Sequence, residues 1–234
     1  MFKIALDAGH SLSTPGKQCL KSLDPTQTRE WVLNDRIADK VEVLLQGFTG
    51  WELIRVDDTF GKKDISTSNR AKAANSFGAD FYLSLHHNAG IEGGKGGGIV
   101  AYIAKTASKA SAEWQAELYA ELIAATGLKG NRSNPTPKNN YTVLTKTNMP
   151  AVLLELGFMD SKTDVPVILS EEYADQCAAA IVEVLARRGG LVKKQVAPAK
   201  RYIVQEGVYS TESRAKAVVA ALKKAGFGGL IKEG

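Results

Sequence analysis

The chain has 234 residues, 44% of them hydrophobic and 24% charged, which suits one domain of about 100–200 residues plus an appendage and excludes a disordered or collagen-like chain. Cys19 and Cys177 are the only cysteines, which excludes a disulfide scaffold and an all-cysteine zinc site, and no apolar run approaches the roughly 18 residues of a membrane helix. The net charge of +5 is uneven: residues 1–190 hold 21 Lys/Arg against 22 Asp/Glu, whereas residues 191–234 hold 9 against 3, so the basic character belongs to the tail. A basic tail suits a polyanionic partner or a solubilising lysine-rich helix face.

The first residues, Met-Phe-Lys-Ile-Ala-Leu-Asp-Ala-Gly-His, lack the apolar core and small-residue cleavage site of a secretory signal. They predict a strand over Phe2–Leu6 and cytoplasmic accumulation. Apolar Val32, Leu33, Ile37, Val41, Leu44 and Leu45 recur at helical spacing, predicting a helix over Glu30–Leu45 that Gly47 and Gly50 stop. Trp51–Val56 reads as a strand and Ser66–Phe77 as a short helix. Asp80–His87 reads as a buried strand. The glycine-rich loop after it lacks the Gly-Lys-Ser/Thr ending of a phosphate loop. Next come a strand over Ile99–Ala104 and a helix over Ser108–Ala125, with Ser108 as N-cap and Gly127 as stop. Residues 128–140 form an exposed loop. Tyr141–Leu144 and Ala151–Leu156 read as strands, and Glu171–Arg187 as a helix. The alternation predicts an α/β fold: an open, mostly parallel twisted sheet flanked by helices. Sites in such sheets form at the carboxyl ends of strands.

Residues 188–200 read as a linker. Beyond it, Arg201–Gln205 (strand), Thr211–Ala225 (helix) and Leu230–Lys232 (strand) form a small C-terminal β-α-β unit. At residues 201–234 it falls below the roughly 40 residues at which a domain stands alone without staples. It is expected to pair with a second copy in a homodimer or to pack on the main domain.

The three histidines all lie at predicted strand ends, and Glu30 opens a helix. A lone histidine is usually structural. Two His with one Glu, however, compose a catalytic zinc set that leaves a coordination position open for water.

Five segments then occur in a telling order: Ile4-Ala5-Leu6-Asp7-Ala8-Gly9-His10; Glu30; Arg70 with Ala74-Asn75; Ala79-Asp80 with Ser84-Leu85-His86-His87-Asn88; and Pro150-Ala151-Val152-Leu153-Leu154-Glu155-Leu156-Gly157-Phe158. Together they resemble the zinc-dependent N-acetylmuramoyl-L-alanine amidases of autolysins and phage endolysins over most of residues 2–187, which implies a catalytic domain at residues 1–187. The resemblance implies one Zn²⁺ held by His10, Glu30 and His86, with Glu155 as the catalytic carboxylate. It implies hydrolysis of the amide between N-acetylmuramic acid and the L-alanine of the peptidoglycan stem, after holin-mediated release or cell lysis. The chain departs from the family in Ser11-Leu12-Ser13-Thr14-Pro15, where relatives have glycines, and at His87, where small residues are common. Adjacent strand residues point to opposite faces, so His87 is expected to be packed rather than to join His86 on one metal. Asn88 reads either as a substrate contact or as a turn residue, and Arg70 as the structural partner of an acid. The glycines at 93–98 and the loop 128–140 could border the groove.

The tail segment Arg201–Tyr209, with its alanine-rich helix and Ala225-Gly226-Phe227, is similar to half of a sporulation-related repeat (SPOR) domain, which implies peptidoglycan binding. Nucleic-acid binding has no supporting motif. A zinc peptidase acting on stem peptides, or an inactive wall-binding protein with the same fold, are the alternative readings.

Overall fold

The computed structural model describes residues 1–194 and 211–226. Two compact units divide the chain, Met1–Lys194 and Gln195–Gly234.

The larger unit is built on five strands: β1 (Phe2–Ala8), β3 (Trp51–Arg55), β4 (Phe81–Asn88), β5 (Ile99–Tyr102) and β6 (Ala151–Phe158). Their order is β3-β1-β4-β6-β5, with β1, β3, β4 and β6 mutually parallel and β5 antiparallel to β6. This is the mostly parallel sheet expected. The inner strands are nearly continuous apolar runs because helices cover both faces. Side chains alternate between those faces. Ile4, Leu6, Leu83, Leu85, Val152 and Leu154 pack beneath α1 (Glu30–Leu45), α3 (Lys109–Thr126) and α6 (Glu171–Gly189). Ala5, Tyr82 and Leu153 face α2 (Thr67–Phe77) and α4 (Thr142–Thr145). Helix boundaries follow local chemistry. Ser66, Ser108 and Ser170 accept backbone N–H bonds at helix starts, and Gly78, Gly127 and Gly190 end helices in the left-handed conformation.

From β1 the chain adds β3 on one side and then crosses to place β4 on the other. The strand order therefore reverses between β1 and β4. At such a switch point the loops leaving the two strands diverge and open a crevice at their carboxyl ends.

Three local expectations are corrected. Tyr141–Leu144 is not a strand; Tyr141 precedes the helical turn α4. Val143 and Leu144 are buried beside Ala74 and Leu153, and β6 already has neighbours on both edges, so no sheet position is open there. A turn missed in the sequence, α5 (Val165–Ile168), follows β6. Within the expected linker, α6 continues to Gly189, and β7 (Val192–Lys193) pairs antiparallel with β2 (Phe48–Thr49). In the smaller unit, α7 (Glu212–Lys224) is described, with Ala215, Val218, Val219 and Leu222 half-buried on one face. The strands expected at 201–205 and 230–232 lie outside the described residues.

The loop after β6 is organised by Asp164, which is 1% exposed. Its Oδ2 accepts from the N–H of Gly98 at 2.7 Å and of Phe158 at 2.9 Å. Gly97 packs so closely that a Cβ there would lie 2.4 Å from the same oxygen. Asp164→Ala orphans two buried N–H groups and is expected to cost about 2–5 kcal/mol. Denaturant unfolding checks this, and a loss under about 1 kcal/mol would contradict it.

Candidate active site

The crevice between β1 and β4 gathers residues from four segments. β1 runs out through Asp7-Ala8-Gly9 into His10, whose φ of 68° is left-handed. A non-glycine residue there stores about 1–2 kcal/mol of strain and needs outside support. Arg70 on α2 supplies it: Nη1 donates to Ala8 O at 2.7 Å, Nη2 to His10 O at 2.8 Å and Nε to Ile65 O at 2.7 Å. The guanidinium also pairs with the Asp7 carboxylate, which accepts from Tyr82 Oη at 2.8 Å and Ser84 Oγ at 2.7 Å. Arg70 is thus the acid-paired structural residue expected, with the added job of clamping the His10 loop.

Burial pushes the Asp7 pKa up, but the charge of Arg70, then His86 and the Ser84 hydroxyl, outweigh it and hold the carboxyl below its usual range. A depressed folded pKa stabilises fully above the unfolded value of about 3.9 and less as pH falls through the folded one. Asp7→Asn removes the buried counter-charge of Arg70 and leaves it only Asp64, a more exposed carboxylate 3.4 Å from Nη2, so it is expected to cost about 3 kcal/mol at pH 7, the low end for breaking a buried pair. The gap to the parent protein should narrow below about pH 4. Unfolding midpoints measured from pH 2 to 7 check both.

Glu30 is the first residue of α1, and its carboxylate is 1% exposed. Oε1 lies 3.0 Å from His86 Nδ1 and accepts from the His87 N–H at 3.2 Å. Oε2 lies 3.4 Å from His10 Nε2 and 3.8 Å from Lys17 Nζ, yet it has no hydrogen-bond partner among the described residues. Burial raises the Glu30 pKa, but the two imidazoles overcome it, so the carboxylate stays ionised well below the usual range. Burial depresses His86, and its contact with Glu30 outweighs that and raises it.

One donor atom each from His10, Glu30 and His86 lie within 4.8 Å of one another. Zinc bonds of about 2.0–2.2 Å put tetrahedral ligand atoms roughly 3.3–3.6 Å apart, so the two Glu30–His contacts at 3.4 and 3.0 Å are near that spacing and the set of three is somewhat wider than a closed metal site. A buried carboxylate oxygen without a donor, aimed at an imidazole nitrogen, also fits a cation. His86 owes its place to Gly9, where a Cβ would fall 2.0 Å from His86 Cε1.

Glu155 on β6 sits opposite His86 in the β4–β6 register and lines the same cleft, with Lys17, Pro15 and Met159. Its Oε2 is buried without a hydrogen-bond partner among the described residues. Burial, with help from the nearby Glu30 charge and against His86, pushes its carboxyl up to about 7. Such a group exchanges protons near neutral pH, as general acid–base chemistry requires.

His87 turns away from this cluster. It is 2% exposed, its Nδ1 lies 2.8 Å from Asn34 Oδ1, and burial drives its pKa down to about 3. Asn88 behaves as a turn residue, its Oδ1 accepting from the Ala89 N–H at 2.8 Å. The glycine loop at 93–98 serves the Asp164 turn. In the neighbouring turn, the N–H groups of Gly90, Ile91 and Glu92 converge on Asp160 Oδ2. Sequence reasoning missed Lys17, Asn34 and the purpose of Gly9. Asn34 left a trace: it is a polar residue one turn after Glu30, on the apolar stripe of α1.

A family model described as N-acetylmuramoyl-L-alanine amidase matches residues 4–187. The sporulation-specific N-acetylmuramoyl-L-alanine amidase of Bacillus subtilis (strain 168) is 29% identical over 233 residues, covering 99% of this chain and 84% of that protein. The endolysin of Bacillus phage SPP1 is 29% identical over 191 residues, 81% of this chain and 66% of that protein. Among solved structures, an N-acetylmuramoyl-L-alanine amidase from Clostridium difficile 630 matches with a TM-score of 0.70 at 26% identity, over 80% of this chain and 95% of that one. The matched span holds the whole crevice, with its His-Glu-His cluster and adjacent carboxyl, and the chain belongs to the N-acetylmuramoyl-L-alanine amidase family of peptidoglycan hydrolases.

Proposed function

We propose that this protein is a zinc-dependent amidase that separates N-acetylmuramic acid from the L-alanine of the stem peptide. In this reading His10, Glu30 and His86 hold the metal, and Glu155 is the catalytic carboxylate. The observation that carries the reading is the buried Glu30 carboxylate, whose partnerless Oε2 faces His10 and whose Oε1 faces His86, together with the equally partnerless Oε2 of Glu155. Zinc bound there supplies a Lewis acid and brings the pKa of water from about 15.7 to about 7. Glu155 takes one proton from the attacking water at Oε2 and delivers it to the leaving amine nitrogen as the carbonyl carbon–nitrogen bond breaks. A carboxyl poised near 7 suits both transfers. Glu30 remains a fixed negative charge, and Arg70 holds the His10 loop in its strained shape.

The basic C-terminal unit, similar to half of a SPOR domain, is the wall anchor, and two chains supply its two halves in a homodimer. Action on the cell wall is in keeping with similarity to a sporulation-specific amidase and a phage endolysin.

Digestion of purified peptidoglycan with and without a chelator, read by mass spectrometry, tests the activity. Chelator-sensitive release of intact stem peptides beginning at L-alanine is the expected result. Cuts inside the stem would replace the amidase by a peptidase, and binding without cleavage would leave only a wall-binding role. Removing residues 195–234 is expected to weaken wall binding while turnover of soluble fragments persists. A full-length protein that is monomeric in solution would overturn the paired-tail model.

A further inference from the structure

Three groups outside the ligand set form one buried chain. Asn34 is fully buried on α1, one turn beyond Glu30. Its Nδ2 lies 3.1 Å from Gly9 O. A carbonyl can only accept, so the amide nitrogen must face Gly9 and the amide oxygen must face His87. The oxygen at 2.8 Å from His87 Nδ1 then requires that Nδ1 carry the proton. His87 Nε2 is left as a buried acceptor without a partner among the described residues.

The chain is placed with respect to the metal ligands. Gly9 O belongs to the peptide plane that leads into His10 and helps set its left-handed φ. The His87 N–H, in the plane leaving His86, donates to Glu30 Oε1. The hydrogen bonds of Asn34 and His87 therefore reach both peptide planes next to the histidine ligands, from the helix that carries the third ligand.

We propose that Asn34 and His87 are positioning residues, a buried brace that fixes the His10 and His86 backbones at the spacing a metal ion needs. The inference rests on the metal-site reading above. Groups that orient metal ligands from behind typically change affinity by about 10–100-fold when removed.

The full-length protein tests it through metal binding rather than turnover. Asn at position 87 offers an N–H donor close to the place of imidazole Nδ1, whereas Leu fills space without donating. His87→Asn is expected to bind Zn²⁺ like the parent in competition with a chelator, with the same Co²⁺ absorption spectrum. His87→Leu is expected to bind about 10–100-fold more weakly with an altered Co²⁺ spectrum. A role confined to packing predicts the reverse, and wild-type affinity and spectrum in His87→Leu would overturn the brace. Nitrogen-15 NMR of the metal-free parent needs no variant: the Nδ1–H tautomer is expected for His87, and an Nε2–H tautomer would overturn the proposal even if neither substitution folds. A parent protein that binds no metal but displays the Nδ1–H tautomer would count against the metal site and not against the hydrogen-bonded chain.

Discussion

Glu155→Gln is expected to leave metal binding intact and to lower turnover of peptidoglycan by about 10²–10⁴-fold, the range for loss of a general acid–base group. The substitution keeps the shape of the side chain and removes only its capacity to exchange a proton. Elemental analysis alongside a hydrolysis assay checks the pair of outcomes, and loss of metal together with activity would reassign Glu155 to the ligand set. A second readout follows from burial. The carboxyl is raised to about 7 in the folded chain, above the ordinary value of about 4.3. A group raised in this way stabilises below its unfolded pKa, and that contribution is lost as pH rises through the folded one. Metal-free Glu155→Gln should therefore become more stable relative to the metal-free parent between about pH 4 and pH 7, and hold that advantage above it.

Gly9→Ala is expected to abolish activity by another route. One added methyl would fall 2.0 Å from the His86 ring, which has to swing out of place. Gly9 is not among the residues with left-handed φ, so the backbone itself tolerates alanine. The fold should persist while metal affinity drops by at least about 100-fold, at or beyond the upper end for disturbances behind the ligands. Circular dichroism with a chelator-competition titration distinguishes this from unfolding. Near-normal metal affinity would mean that the ring is not confined as described.

Much of this arrangement is legible in the sequence because it depends on local signals. The apolar run before Asp7, the helical periodicity from Glu30 and the Ser108 and Gly127 boundaries all act over one or two turns of chain. His10, Glu30, His86 and Glu155 are nominated by the resemblance of their segments to the amidases; of the four only Glu30 begins an element, and His86 and Glu155 lie within β4 and β6. Val143 and Leu144 misled because their strand propensity was overruled by packing against α2, which no local pattern announces. β2 and β7 have two residues each, too short for periodicity to register. The contact of Asn34 with His87 joins residues 53 positions apart, and that of Arg70 with Asp7 joins residues 63 apart. Only the folded sheet brings them together, although the need of Arg70 for an acid could be anticipated from charge alone.

The pairing of β7 with β2 changes how the two units can be separated genetically. The Lys194 N–H donates to Gly47 O at 2.8 Å, the Leu191 N–H to Ala186 O at 2.9 Å, and Gly189 abuts the Phe2 ring. A fragment stopped at residue 187, where helical periodicity fades, would lose the end of α6 and expose the edge of β2. Its weak wall binding or poor turnover would report a damaged enzyme. A fragment stopped at Lys194 keeps these contacts, so any deficit it has belongs to the missing tail.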